Sequence, residues 1–201
     1  MAHLSVFFNP TALIQTVGYV GIAAVIFTES GLLIGIVLPG DSVLFTAGFL
    51  ASQGLLSIIP LLIISFTMAA LGDNVGYWLG KRFGPSVFKR KDSIFLNPGN
   101  ITRAEAFYEE HGTKTIVLAR FIPVIRTLAP LLAGVGSMHW RTFMTYNLLG
   151  AFIWGIGVTF TGYWLGAVIP GIDRYIIPIV LLIIFSSVIP PAYNYYRQHR
   201  R

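Results

Sequence analysis

The stretch "KTIVLARFIPVIRTLAPLLAG", from Lys114 to Gly134, places two arginines, Arg120 and Arg126, inside an apolar run broken by two prolines, Pro123 and Pro130. Its reading decides the fold, because the surrounding composition is that of a chain dissolved in lipid. Of the 201 residues 55% are hydrophobic and only 11% are charged, against roughly 25% in an ordinary soluble domain, and the mean hydropathy is +0.72. The sequence is therefore that of an integral membrane protein. It contains no cysteine, which removes disulfides and thiolate metal sites, and its four histidines lack ligand spacing. Residues 1–28 hold no Lys or Arg, so the basic region of a cleavable signal peptide is missing and the first apolar stretch is expected to stay. The net charge of +6 does not point to nucleic acid, since all 14 Lys and Arg lie after residue 80 and punctuate apolar runs.

Uncharged runs cover residues 1–28, 42–72, 142–172 and 175–196. As one straight helix the run from Ser42 to Gly72 would be about 46 Å long, well beyond a hydrocarbon core of about 30 Å. It divides into a short arm near 42–53, a turn through Gly54 and Ser57, and a full span from about Pro60 to Gly80, with proline in the first turn. Before that arm, "FTESGLLIGIVLPGDSVLFTAGFL" brackets another apolar arm between Glu29 and Asp41 and ends it at Pro39-Gly40, a strong turn signal. Thirteen helical residues reach about 18 Å, roughly half the membrane. These dimensions predict a re-entrant hairpin that enters from one side, turns near the midplane at Pro39 to Asp41 and leaves by the same side. The opening stretch has the same dimensions, thirteen residues from Lys114 to Arg126 followed by "TLAPLLAGVGSM" leading back out. Open backbone at that depth is tolerated only inside protein or along a wet cavity, so the two hairpins are expected to face each other.

Gly76-Tyr77-Trp78-Leu79-Gly80 recurs as Gly162-Tyr163-Trp164-Leu165-Gly166, 86 residues later, and Ala47-Gly48 recurs at the same offset as Ala133-Gly134. Asp41 then falls on Thr127, beside Arg126. Read as a duplication, the chain is one all-α membrane domain over residues 1–201, with repeat 1 at about 29–80, a loop at about 81–113, repeat 2 at about 114–166 and a last span at about 172–196. Each repeat is a hairpin plus one crossing, so the second must be inverted relative to the first, with the site expected at the midplane between them. If residues 81–114 face the cytoplasm, Lys81, Arg82, Lys89, Arg90, Lys91, Arg103 and Lys114 lie inside, Arg141 returns there, and Arg197, Arg200 and Arg201 follow; only Arg174 faces out. This positive-inside pattern puts both termini in the cytoplasm if residues 12–28 cross once. Within the loop, Thr102 and Glu105 have capping-box spacing for a short helix ending before Gly112, and Phe107 and Tyr108 place that helix at the interface.

The two facing hairpins carry opposite charges, Glu29 and Asp41 on the first, Arg120 and Arg126 on the second. An Arg inside the membrane costs about 2.5–3.5 kcal/mol on insertion scales. One reading makes the four residues structural ion pairs that lock hairpin to hairpin. Apolar packing can replace permanently neutral pairs at little loss of stability, however, and an unwound, cavity-lining position favours a functional role. Arg suits a phosphate because its fork donates in pairs and keeps its proton. Glu and Asp suit proton exchange because their protonation depends on what else fills the cavity. The combination reads as an anion site coupled to protons. Asp73 and, one turn later, Tyr77 are candidate auxiliary residues, Asp73 either joining the carboxylate cluster or only hydrogen-bonding the hairpin return. Lys81 and Arg82 read as snorkelling anchors and Trp78 and Trp164 as interface belt, while Pro190-Pro191 marks the end or a kink of the last span. No P-loop, metal cluster or nucleophile triad appears in the sequence, so the chain reads as non-enzymatic, with no cofactor and no metal.

Several ordered motifs then carry a resemblance: Glu29-Ser-Gly-Leu-Leu with Leu38-Pro39-Gly40-Asp41, Gly72-Asp73 to Gly76-Tyr77 and Gly80-Lys81, Arg120-Phe-x-Pro123-x-x-Arg126, Ala133-Gly134, and Met138 to Phe143. Over nearly the whole chain they resemble the bacterial DedA proteins, of the wider group called SNARE-associated or VTT-domain proteins. One departure is Ile34, where many relatives carry a proline in the first hairpin arm; it bears on the kink of that arm and not on its charged ends. The resemblance implies facing re-entrant hairpins in a multi-pass protein of the bacterial inner membrane. It implies lipid translocation, with undecaprenyl phosphate return as the foremost role, dependence on proton motive force, and effects on envelope integrity and drug resistance. By motif match the proton-coupling positions are Glu29 and Asp41, and the lipid-phosphate positions are Arg120 and Arg126. The implied partners are a lipid phosphate, protons and the membrane, with a homo-oligomer left open. Two other classes also stay open: a scrambler of ordinary phospholipids that uses the same groove without protons, and a non-transporting scaffold whose charges only hold the hairpins together.

The charge bias predicts that a cysteine introduced at Ser93 resists an impermeant thiol reagent in intact cells and reacts once the membrane is opened. Labelling in intact cells would reverse the assigned orientation.

Overall fold

The computed structural model describes residues 10–32, 40–87, 112 and 114–168, and all regular structure among them is helical. Helix α1 spans Pro10–Gly31, α2 Gly40–Ser52, α3 Ile58–Val87, α4 Thr115–Ala119, α5 Pro123–Val135, α6 Trp140–Ala151 and α7 Gly157–Val168, with a π-helical turn, Phe152–Ile156, joining α6 to α7. Two described stretches are long and apolar enough to cross a membrane, Ile58–Phe83 with 26 residues and Trp140–Val168 with 29. Their outer faces expose Ile59, Ile63 and Leu71 on one and Phe160 and Trp164 on the other, the pattern expected where hydrocarbon is the solvent.

Local chemistry sets most of the boundaries. After α2 the chain turns through Gln53-Gly54, where Gly54 has φ +77°, a left-handed conformation that glycine adopts without a Cβ penalty. The Tyr19 hydroxyl accepts the Ser57 N–H at 2.7 Å and ties this turn to α1. The expected arm, turn and span are thus seen, with α3 running on to Val87 instead of ending at Gly80. Two expectations are corrected. No proline follows Pro10 in α1, so that helix continues to Gly31 and Glu29 sits in its last turn instead of opening a separate arm. The second arm is also not one helix to Arg126. Pro123 disfavours α conformation at the residue before it, Ile122 is extended (φ −114°, ψ 109°), and Pro123 starts α5, so the break covers residues 120–122 and Arg126 lies on the returning helix. The expected arm through Ile34 to the Pro39 turn, the interfacial helix in the loop and the last span at 172–196 fall outside the described residues.

Helix α2 lies along α7, α5 along α3, and α1 also packs on α3. Glycines make these contacts close: a Cβ on Gly134 would strike the Tyr77 carbonyl and the Lys81 nitrogen, and one on Gly80 the Leu131 carbonyl. In the other pair, a Cβ on Gly48 would strike the Thr159 carbonyl and one on Gly162 the Phe45 carbonyl. Gly48 and Gly134 are 86 residues apart, as are Phe45 and Leu131, so the short helix of each half lies on the long helix of the other. Lipid tails are as apolar as side chains, and helices in a bilayer associate through such close small-residue packing. The π turn continues the span, with Trp154 and Gly155 buried between the buried positions of α6 and those of α7. Trp154 packs there with Ile26, Leu44, Ala69, Ala70 and Ala151.

Leu substitution at Gly48 or Gly134 forces packed backbones apart, at a cost of about 1–3 kcal/mol or more. Each should lower the midpoint of thermal unfolding in detergent, followed by size-exclusion chromatography. Gly21→Leu, at a position with nothing within 4 Å, should not; equal midpoints for all three would refute the packing account.

Candidate functional site

The break before Pro123 delivers the two arginines to different surroundings. Arg120 caps α4 and turns inward, where its Nη2 donates to Asp73 Oδ2 on α3 and to Asn147 Oδ1 on α6 at 2.5 Å. Asn147 Nδ2 in turn donates to the Ala70 carbonyl at 3.0 Å. All three side chains are buried: Arg120 is 4% exposed, Asp73 3% and Asn147 0%. Gly150 is required beside them, because a Cβ there would meet the Arg120 Cδ and Nε. This is a closed ion pair in which the guanidinium also donates to an amide oxygen, and such pairing is what makes burial of a charge tolerable.

Arg126, on α5, reaches the ends of two other helices. It pairs with Glu29 in the last turn of α1 and, through Nη1 at 2.6 Å, with Asp41 Oδ1 in the first turn of α2. Trp154 Nε1 donates to the same Asp41 oxygen at 2.6 Å, and the guanidinium carbon of Arg126 lies 5.2 Å from the centre of the Trp154 ring. Gly40 lets the first turn of α2 close on Glu29, since a Cβ at Gly40 would collide with the Glu29 carboxylate. The N-terminal end of α2 favours that negative charge. Glu29 is 1% exposed, whereas the Asp41 side chain is 49% exposed, so the cluster has one sealed and one open carboxylate. Beyond the Arg126 contact neither Glu29 oxygen has a hydrogen-bond partner among the described residues, and the Nε atoms of Arg120 and Arg126 have none. Across the described residues the two groups hold three carboxylates against two guanidiniums.

Of the residues singled out in the sequence, Glu29, Asp41 and Arg126 thus meet, and Arg120 meets Asp73 separately. Tyr77 lies apart from both groups, donating to the Met138 carbonyl at 2.5 Å and stacking on Phe143 with ring centres 4.5 Å apart. Sequence reasoning missed Asn147 and Trp154. Signals existed: Asn147 is the one side-chain amide in the uncharged run 142–172, and Trp154 stands mid-run instead of at a span end, where an indole N–H needs a protein partner.

Residues 38–164 match the family model described as the VTT domain. The chain is 41% identical over 180 residues to an uncharacterized membrane protein of Mycobacterium leprae, covering 88% of this chain and 80% of that one. It is 38% identical over 178 residues to Protein DedA of Escherichia coli strain K12, covering 88% and 81%, and 33% identical over 178 residues to the same strain's inner membrane protein YghB, covering 84% and 81%. No solved structure matches it.

Removing one partner of a buried pair costs about 3–5 kcal/mol, while replacing both with apolar groups is often neutral. Arg120→Met should therefore destabilise strongly in thermal unfolding in detergent, and Arg120→Met with Asp73→Leu should regain much of the loss. Additive losses would show that Asp73 is not the partner that matters.

Proposed function

Because the chain belongs to the DedA family of VTT-domain membrane proteins, we propose that it transports a lipid phosphate across the bacterial inner membrane, coupled to protons, with undecaprenyl phosphate as the first candidate substrate and related lipid phosphates after it. The observation that carries this reading is the sharing of Arg126 by Glu29 and Asp41. Two carboxylates on one guanidinium repel each other, so an incoming anion competes for Arg126 against a strained arrangement and not against a fully neutral pair. A phosphate takes the paired N–H donors of Arg126. Glu29, buried and left without its cation, then binds a proton, and the half-exposed Asp41 is the second proton-coupling carboxylate. Phosphate and proton load together, and release of one favours release of the other.

Arg120 is the second phosphate ligand in this proposal, and it engages only when its bonds to Asp73 and Asn147 open. That closure makes Asp73 the resting partner of Arg120 and leaves it auxiliary, with Tyr77 supporting the hairpin return. It does not extend to Arg126, whose partner Asp41 is 49% exposed. The proposed architecture is an inverted pair of re-entrant hairpins with the site at the midplane and both termini in the cytoplasm. The exchange of short and long helices between halves supports it. The proposal needs no covalent step, cofactor or metal.

The test is lipid flux in proteoliposomes, normalised to inserted protein, with undecaprenyl phosphate and phosphatidylethanolamine at two pH gradients. Arg126→Lys should lose flux although charge is kept, because a point ammonium cannot replace a paired contact. Glu29→Gln and Asp41→Asn should insert normally and lose the response to the gradient. Wild-type flux that ignores the gradient and carries both lipids would establish a scrambler, and low abundance of both neutral variants with no wild-type flux would establish a scaffold.

A further inference from the structure

Arg126 must exchange carboxylates for phosphate without leaving either side stranded, and one residue outside the charged set touches both sides of that exchange. Trp154 donates its Nε1–H to Asp41 Oδ1 at 2.6 Å, the oxygen that Arg126 Nη1 also meets at 2.6 Å, and its ring face lies 5.2 Å from the Arg126 guanidinium carbon. The indole is 3% exposed and wedged among Ile26, Leu44 and Ala69, so its orientation is set by packing. It stands in the π turn, beside the equally buried Gly155. A face contact to a cation uses none of the guanidinium's N–H donors.

We propose that Trp154 is a positioning residue for phosphate exchange at Arg126: its N–H stays with Asp41 when Arg126 turns to phosphate, and its ring keeps the guanidinium in place while the N–H donors change partners. The inference rests on the transport reading for its consequence but on the geometry for the contacts. A neutral donor that remains on Asp41 lowers the cost of stripping that carboxylate of its cation, since hydrogen bonds to charged groups are among the stronger ones. A phosphate bound at Arg126 therefore changes the electrostatic surroundings of the indole directly.

The experiment has two arms. In proteoliposomes, flux of undecaprenyl phosphate is measured against its concentration for wild type, Trp154→Phe, Asp41→Asn and the double variant, normalised to inserted protein. Trp154→Phe keeps a ring and removes the donor. Maximal flux should fall about tenfold or more, the loss expected for a hydrogen bond to a charged group, with half-saturation moving less, and the double variant should match Asp41→Asn within about twofold. A wedge that only fills space predicts a Trp154→Phe variant close to wild type, or losses that multiply in the double variant, and either result overturns the proposal. In the second arm, protein with Trp78, Trp140 and Trp164 replaced by Phe is titrated in detergent with dihexanoyl phosphatidic acid and the Trp154 emission is read. A saturable change, absent with dihexanoyl phosphatidylcholine, is expected. If this change occurs while wild type shows no flux, the transport reading falls and Trp154 stands as a positioning residue of a phosphate-binding site. If no change occurs, the Trp154 proposal falls even where flux persists.

Discussion

The bond on which the arrangement depends is the one Arg126 makes to two carboxylates at once. Three helix ends converge there: the last turn of α1 with Glu29, the first turn of α2 with Asp41, and the start of α5 with Arg126. Only Asp41 suits the dipole of its own helix. Glu29 is a negative charge at a C-terminal end and Arg126 a positive charge near an N-terminal one, so each is disfavoured by its own helix and stabilised by the others. Local preference and global arrangement conflict at this point, as they do at functional sites and seldom elsewhere.

The second arginine shows what a settled pair in the same protein looks like. Arg120 has a carboxylate, an amide oxygen and a tight wall at Gly150, and the amide that holds it is itself tied to the Ala70 carbonyl. Every polar partner in that set has a place, with the Arg120 Nε as the exception. Around Arg126 the balance differs, with two acceptors for one cation, a half-exposed Asp41 and a Glu29 that has no hydrogen bond beyond the ion pair among the described residues. Two arginines six residues apart, on either side of one helix break, thus sit in different surroundings because of what faces them.

Much of this was legible where chemistry is local. The turn at Gly54, the proline in the first turn of α3 and the approach of an acidic to a basic segment follow from residue types and run lengths, and the structure has each of them. The helix break was legible in kind but misplaced, because a proline acts on the residue before it and the break therefore falls before Pro123, not at Arg126. Which acid would meet which arginine was not legible, since Asp73 lies 47 residues from Arg120 and their meeting depends on how α3, α4 and α6 register against one another. Trp154 and Asn147 carry no charge in an uncharged run, and the π turn that holds Trp154 leaves no signature in the local sequence.

The glycine contacts have a mechanical consequence. Backbone against backbone, α2 cannot slide on α7, nor α5 on α3, without collision, so each pair behaves as one stiff jaw. Asp41 rides on the first jaw and Arg126 on the second, and the π turn that carries Trp154 packs on both, with Gly155 close against the Ser65 backbone of α3. The Arg126–Asp41 bond is then an ionic contact between the two jaws, beside neutral ones that include the Ser65 and Thr159 hydroxyls 3.2 Å apart. Discharging one carboxylate would therefore remove one ionic fastening between the jaws and leave the backbone packing within each of them in place.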